Sequence, residues 1–186
     1  MKIRTVMSIA AVAALGLGCA ALAQEGGMPP LPKPGPEHEI LKAQVGTWDA
    51  TVESFLAPGG APTSSTGVET DTLLGGMWLI TDFKGEFMNT PFQGHGILGY
   101  DSSKKKYVST WVDSMSVGPS SGEASYDAAT KTMTGWMEGP DMNGQVSKMK
   151  EVTEQKDADT RVFTMYATGP DGKEAPAMRI SYKRRK

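Results

Sequence analysis

Two histidines, a few carboxylates and a run of methionines are the residues of this chain whose types could do chemistry. His38 stands between Glu37 and Glu39. A metal site needs three or four ligands in a workable geometry, and this spacing matches none of the usual zinc patterns. The trio reads instead as the start of a helix, with acids at its positive end, and no metal is expected. His95 lies between Gly94 and Gly96. Glycines within a strand let another group approach closely. An imidazole there would serve as a polar group in a cavity or as a general base, since it titrates near pH 6.5. Its plainer reading is a buried or edge side chain packed against the helix.

The acids extend this set. Over residues 105–114, strand alternation puts Tyr107, Ser109, Trp111 and Asp113 on one face and Val108, Thr110 and Val112 on the other. The same count over 131–138 brings Trp136 and Glu138 together. Ligand pockets have apolar walls with few polar groups, and so do many ordinary cores. Trp78, His95, Tyr100, Trp111, Asp113 and Trp136 are the candidate ligand-lining residues. His95 with Asp113 would be an acid–base pair for a hydrolase or isomerase. Serine chemistry has no Gly-x-Ser-x-Gly elbow here, and no glycine-rich loop opens a helix to cradle phosphate. Seven methionines follow from Met115 onward, with Met133 and Met137 on one strand face. Thioethers bind Cu(I), but methionine more often fills irregular packing space. No cofactor is expected.

The N-terminus sets the expected compartment. Lys2 and Arg4 precede an apolar run, Val6 to Ala14, and Ala21-Leu22-Ala23 has the small-x-small pattern of a cleavage site. Residues 1–23 therefore read as a signal peptide of an exported, periplasmic or secreted protein. The run is short of the roughly 20 residues that span a bilayer, so no transmembrane segment is expected. Cys19, the only cysteine, follows Gly18 and offers the alternative of a lipid anchor. Taking Lys2 and Arg4 from 19 basic residues leaves 17 against 21 acidic ones. A mildly acidic surface argues against nucleic acid, which needs clustered positive charge. Nothing here speaks to oligomeric state.

Residues 24–36 hold five prolines and three glycines and read as a linker. Glu37 to Val45 predicts one short helix ending at Gly46. From there, runs rich in Val, Thr, Tyr, Trp and Phe alternate with turn residues every 8 to 12 positions. The spacing predicts strands near 47–56, 65–72, 77–88, 92–100, 105–114, 121–127, 131–138, 145–153, 160–168 and 175–183. Gly96 to Asp101, with Lys105 and Trp111 beyond, is echoed 26 residues later by Gly122 to Asp127, Lys131 and Trp136. The turns at 57–60, 101–103, 127–130, 141–144 and 169–172 carry the expected chemistry. Without crossover helices the sheet must be antiparallel. Closing about ten such strands into a barrel removes the exposed edges. The expectation is an all-β up-and-down meander over residues 37–186, one domain, closed into a barrel with one short N-terminal helix.

Pro36-Glu37-His38-Glu39-Ile40-Leu41 leading into Val45-Gly46-Thr47-Trp48-Asp49, with Leu74-Gly75-Gly76-Met77-Trp78, Gly94 to Asp101 and Tyr107 to Asp113, resembles domain-of-unknown-function family 1579. That resemblance implies a β domain without an assigned activity. The short helix before Gly46-x-Trp48 is also similar to calycins such as lipocalins and nitrobindins. There the Trp plugs the closed end of the barrel, under an Arg from the last strand, and Arg179 is the residue this likeness would assign. Ligating a haem as nitrobindins do needs a histidine on a late strand, and none follows His95. The functional expectation is a barrel holding a small, largely apolar molecule. The alternatives are the enzyme just described and a filled barrel acting as an interaction module.

Overall fold

A computed structural model describes residues 31–55, 60–140, 144–169 and 172–186. The expected signal peptide, Cys19, the linker up to residue 30 and parts of three expected turns lie outside the described residues. Lys33–Lys186 form one compact unit. A 3-10 turn, Pro36–His38, runs into a single helical turn, α1 (Glu39–Lys42). This is shorter than the helix expected to reach Val45, because the chain leaves it through 3-10-type bonds such as Gln44 N to Leu41 O, 3.0 Å.

Ten strands follow: β1 (Gly46–Ser54), β2 (Thr63–Leu74), β3 (Trp78–Phe87), β4 (Thr90–Asp101), β5 (Lys106–Asp113), β6 (Ser120–Asp127), β7 (Thr132–Pro140), β8 (Val146–Gln155), β9 (Thr160–Thr168) and β10 (Glu174–Arg184). Each overlaps an expected strand. Every neighbour pair is antiparallel and β1 pairs with β10, so the meander closes into a barrel. No helix among the described residues is long and apolar enough to cross a membrane. The 26-residue echo marks two equivalent turns. Asp101 Oδ1 accepts from the amides of Ser103 and Lys104, and Asp127 Oδ1 from that of Ala129. Lys105 and Lys131 close them with φ of 53° each.

The register gives the strands' inner faces. Trp48, Ala50 and Val52 of β1 pack with Phe83, Ile180 and Tyr182, and against them lie Phe92, Trp111, Phe163 and Met178. A second cluster joins Leu41 of α1 to Leu79 and Tyr107, with Leu73, Leu98, Tyr100, Tyr126 and Met133 around it. The helical turn therefore stoppers one end of the barrel. Tyr107 pins it there by donating its hydroxyl to Glu37 O, 2.8 Å.

Trp48 sits at that closed end with 0% exposure. The arginine of the last strand that covers it is Arg184, not Arg179. Arg184 is the cross-strand partner of Trp48, with its guanidinium 4.0 Å from the ring centroid. Arg179 is exposed. It alternates with the inward Met178 and Ile180, so the pleat turns it outward.

Candidate functional site

The inner face divides into a closed-end polar cluster and a softer wall toward the other end. In the cluster, Arg161 of β9 donates to Gln44 Oε1 and Glu69 Oε1, and to Asp71 Oδ2 at 2.9 Å. Tyr182 donates to Glu69 Oε2 at 2.8 Å, and Thr81 to Asp71 Oδ1 at 2.6 Å. The guanidinium lies between two rings, 4.2 Å from the Trp48 centroid and 4.6 Å from that of Tyr182. Trp48, Glu69, Asp71, Arg161 and Tyr182 are buried, and burial raises the Glu69 carboxyl to about 7 despite the cation beside it.

The soft wall comes from β7 to β10. Met137 faces Met149, Gly135 faces Glu151, Glu151 faces Met165, and Met165 faces Met178. Met133, two residues before Gly135, packs into the inner cluster, so this whole row points inward. Burial alone pushes the Glu151 carboxyl up to about 7. Met137, Met149, Glu151 and Met165 nevertheless keep accessible surface, unlike Trp48 or Ile180. These inward side chains are only partly buried, so this stretch of the wall is less tightly packed than the closed end.

The expected ligand-lining residues split between the two faces. Tyr100 and Trp111 point inward. The Trp111 ring lies on Gly94 and Gly96: a Cβ at Gly94 would collide with it, and one at Gly96 would crowd it. This is the close approach that those glycines predict. Asp113 shares that face and accepts from Trp111 Nε1 at 3.1 Å, from the amides of Met115 and Ser116, and from Ser116 Oγ at 2.8 Å. Trp78, His95 and Trp136 are on the outside. Trp78 covers Gly99 and is 37% exposed. Trp136 is 42% exposed and sits beside Lys148 in an outer groove of about 770 Å³ along β5, β6 and β7. Those three cannot line the interior.

The same parity corrects the enzyme alternative. Asp113 pairs with Gly94, and His95 pairs with Val112, so the two side chains leave opposite faces of the sheet. His95 binds Asp82 instead, at 2.9 Å on the exposed surface. No proton can pass between His95 and Asp113 in one site.

Glu69, Asp71, Glu151 and Arg161 were absent from the expected set. The spacing Glu69-x-Asp71 puts both acids on one strand face, and Met149-x-Glu151 does the same for a thioether and an acid. Those spacings are the only signal the sequence holds for them.

Two raised carboxyls give the fold a direction with pH. Between their unfolded value of 4.5 and about 7, the folded chain binds more protons than the unfolded one. Stability therefore falls as pH rises through that window, by up to about 1.4 kcal/mol per pH unit per group. Thermal melts should show a lower Tm at pH 8 than at pH 5.5, and Glu151→Gln should flatten part of the slope. A Tm that rises over that range contradicts the assignment.

The barrel is similar to the crystal structure of Rv2717c from M. tuberculosis, with a TM-score of 0.61 at 10% identity over 82% of this chain and 99% of that one. It is also similar to the S-type phycobiliprotein lyase CPES from Guillardia theta, with a TM-score of 0.55 at 14% identity over 81% of this chain and 93% of that one. At such identities the likeness is one of fold. No curated protein matches the sequence. The family model of DUF1579, a protein of unknown function, matches residues 33–184, which take in the barrel and the helical turn that stoppers it, and the chain belongs to that family.

Proposed function

We propose that this is an exported protein whose barrel interior binds a small, largely apolar molecule. One observation carries the reading. Met137, Met149, Glu151 and Met165 of β7 to β9 lie on the inner face of the closed barrel yet keep accessible surface, and small ligands bind in concave, mostly apolar sites with few polar groups. Ten strands give a barrel wide enough for one. Trp111, Phe92 and Phe163 supply aromatic wall, and four methionines supply surface that adapts to shape. The barrel shared with a protein named as a phycobiliprotein lyase is compatible with this reading as a matter of fold. Export rests on the basic, apolar and small-x-small order of residues 1–23.

Native mass spectrometry of the purified protein, before and after organic extraction, tests the interior. A bound species that extraction removes is the expected result. Met149→Trp, which fills the space beside Glu151, should weaken binding of an apolar fluorescent probe about tenfold, or ~1.4 kcal/mol. A protein that binds neither a co-purified species nor a probe overturns the reading.

A further inference from the structure

We propose, resting on that reading, that the interior selects an organic cation: an amine or quaternary ammonium carried on an apolar body. The argument is one of charge inside an enclosed wall. Among the described residues, the inward strand positions carry four carboxyls, Glu69, Asp71, Asp113 and Glu151, and two guanidiniums, Arg161 and Arg184. Both arginines are at the closed end and fully engaged. Arg161 is held by Gln44, Glu69 and Asp71. Arg184 donates to the carbonyls of Val45, Ala43 and Ala158. An anionic ligand such as a fatty acid would meet no uncommitted cation on these faces.

The carboxyls differ in what they already bind. Glu69 and Asp71 face Arg161, and Asp113 is occupied by four donors on its own turn. Glu151 alone has no hydrogen bond or ion pair among the described residues. Its neighbours across β7, β9 and β10 are Gly135, Met137, Met165 and Met178, and along β8 they are Met149 and Thr153. None of these titrates. Arg161 lies nearer the closed end, opposite Gln155, and Lys148 and Lys150 alternate onto the outer face. A buried carboxyl without a counter-charge is unfavourable when ionised, and a bound cation would supply that charge. Aromatic faces attract cations as well, and thioethers tolerate their alkyl substituents. The combination of lone carboxylate, aromatic wall and polarizable surface fits an alkylammonium group.

The test compares three probes of one chain length: decyltrimethylammonium, decanol and decanoate, each below its micelle concentration. Binding is followed by calorimetry on the full barrel. At pH 8 the cation is expected to bind at least tenfold more tightly than decanoate and more tightly than decanol. Its affinity should rise from pH 6 to pH 8 as Glu151 ionises. Glu151→Gln should remove both the preference and the pH dependence while leaving decanol binding in place. Equal or tighter binding of decanoate or decanol overturns the charge selection and leaves the interior site standing. An unchanged preference in Glu151→Gln overturns the role of Glu151. Binding of none of the three overturns both this inference and the reading beneath it.

Discussion

Replacing Arg161 with leucine is expected to destabilise the barrel by about 3–5 kcal/mol, the usual effect of removing one partner from a buried ion pair. The reasoning starts from what stays behind. Glu69 and Asp71 remain inside the closed end, each still holding one hydroxyl donor, from Tyr182 and Thr81. Neither hydroxyl carries charge, so two carboxyls face each other with nothing to balance them. The loss also strips a cation from between two rings. The effect should shrink below pH 5, where the Glu69 carboxyl, raised by burial to about 7, is protonated. It should also shrink in the triple variant Arg161→Leu, Glu69→Gln, Asp71→Asn, which retains side-chain volume while deleting the charges. Urea unfolding followed by far-ultraviolet circular dichroism measures all three. A loss under about 1 kcal/mol at pH 7.5 would place Arg161 with exposed pairs and refute the buried-charge account.

That cluster also marks where sequence reading stops. The strands were legible because their chemistry is local. A run such as Lys106–Asp113 alternates with period two, is rich in aromatic and β-branched residues, and ends in turns led by aspartate. Alternation says which residues share a face, and Tyr107, Ser109, Trp111 and Asp113 do. It does not say which face is inside, because shifting the parity by one residue inverts every side chain. Hydrophobicity normally decides parity, and here it misleads. Trp78 is outside because Gly99 opposite it leaves room for an indole on the outer surface. Trp136 is outside because the inward neighbours on its strand are Gly135 and Met137. Conversely Glu69, Asp71, Glu151 and Arg161 are inside, where an apolar rule would not look. Their partners are 90 to 92 residues apart along the chain for Arg161 with Asp71 and Glu69. Only the closure of β1 on β10 brings such residues together. Arg179 and Arg184 show the same point at the last strand: both are basic, and only the register with Trp48 distinguishes the one that caps the barrel.

Trp48→Ala should be the second severe substitution, destabilising by about 3–5 kcal/mol as large-to-small changes at fully buried aromatics do. The indole is wholly enclosed, so its removal leaves a void that a closed barrel cannot collapse to fill. Three further effects add to the void. Gln44 O loses the indole N–H that reaches it at 2.8 Å. The guanidiniums of Arg161 and Arg184 lose the ring both of them face. Gln44 itself bridges to Arg161 and to Gln155 at 3.0 Å, so loosening it disturbs the stopper and the polar cluster together. Trp48→Phe separates these contributions. It keeps most of the ring and gives up the hydrogen bond, and a loss nearer 1–2 kcal/mol is expected, in line with one unmet buried acceptor. Because Trp48 and Arg161 share contacts, the double variant Trp48→Ala, Arg161→Leu should fall short of the sum of the singles by more than about 0.5 kcal/mol. Strict additivity would mean that the ring and the cation stabilise the closed end independently, and the coupled plug described for it would be wrong.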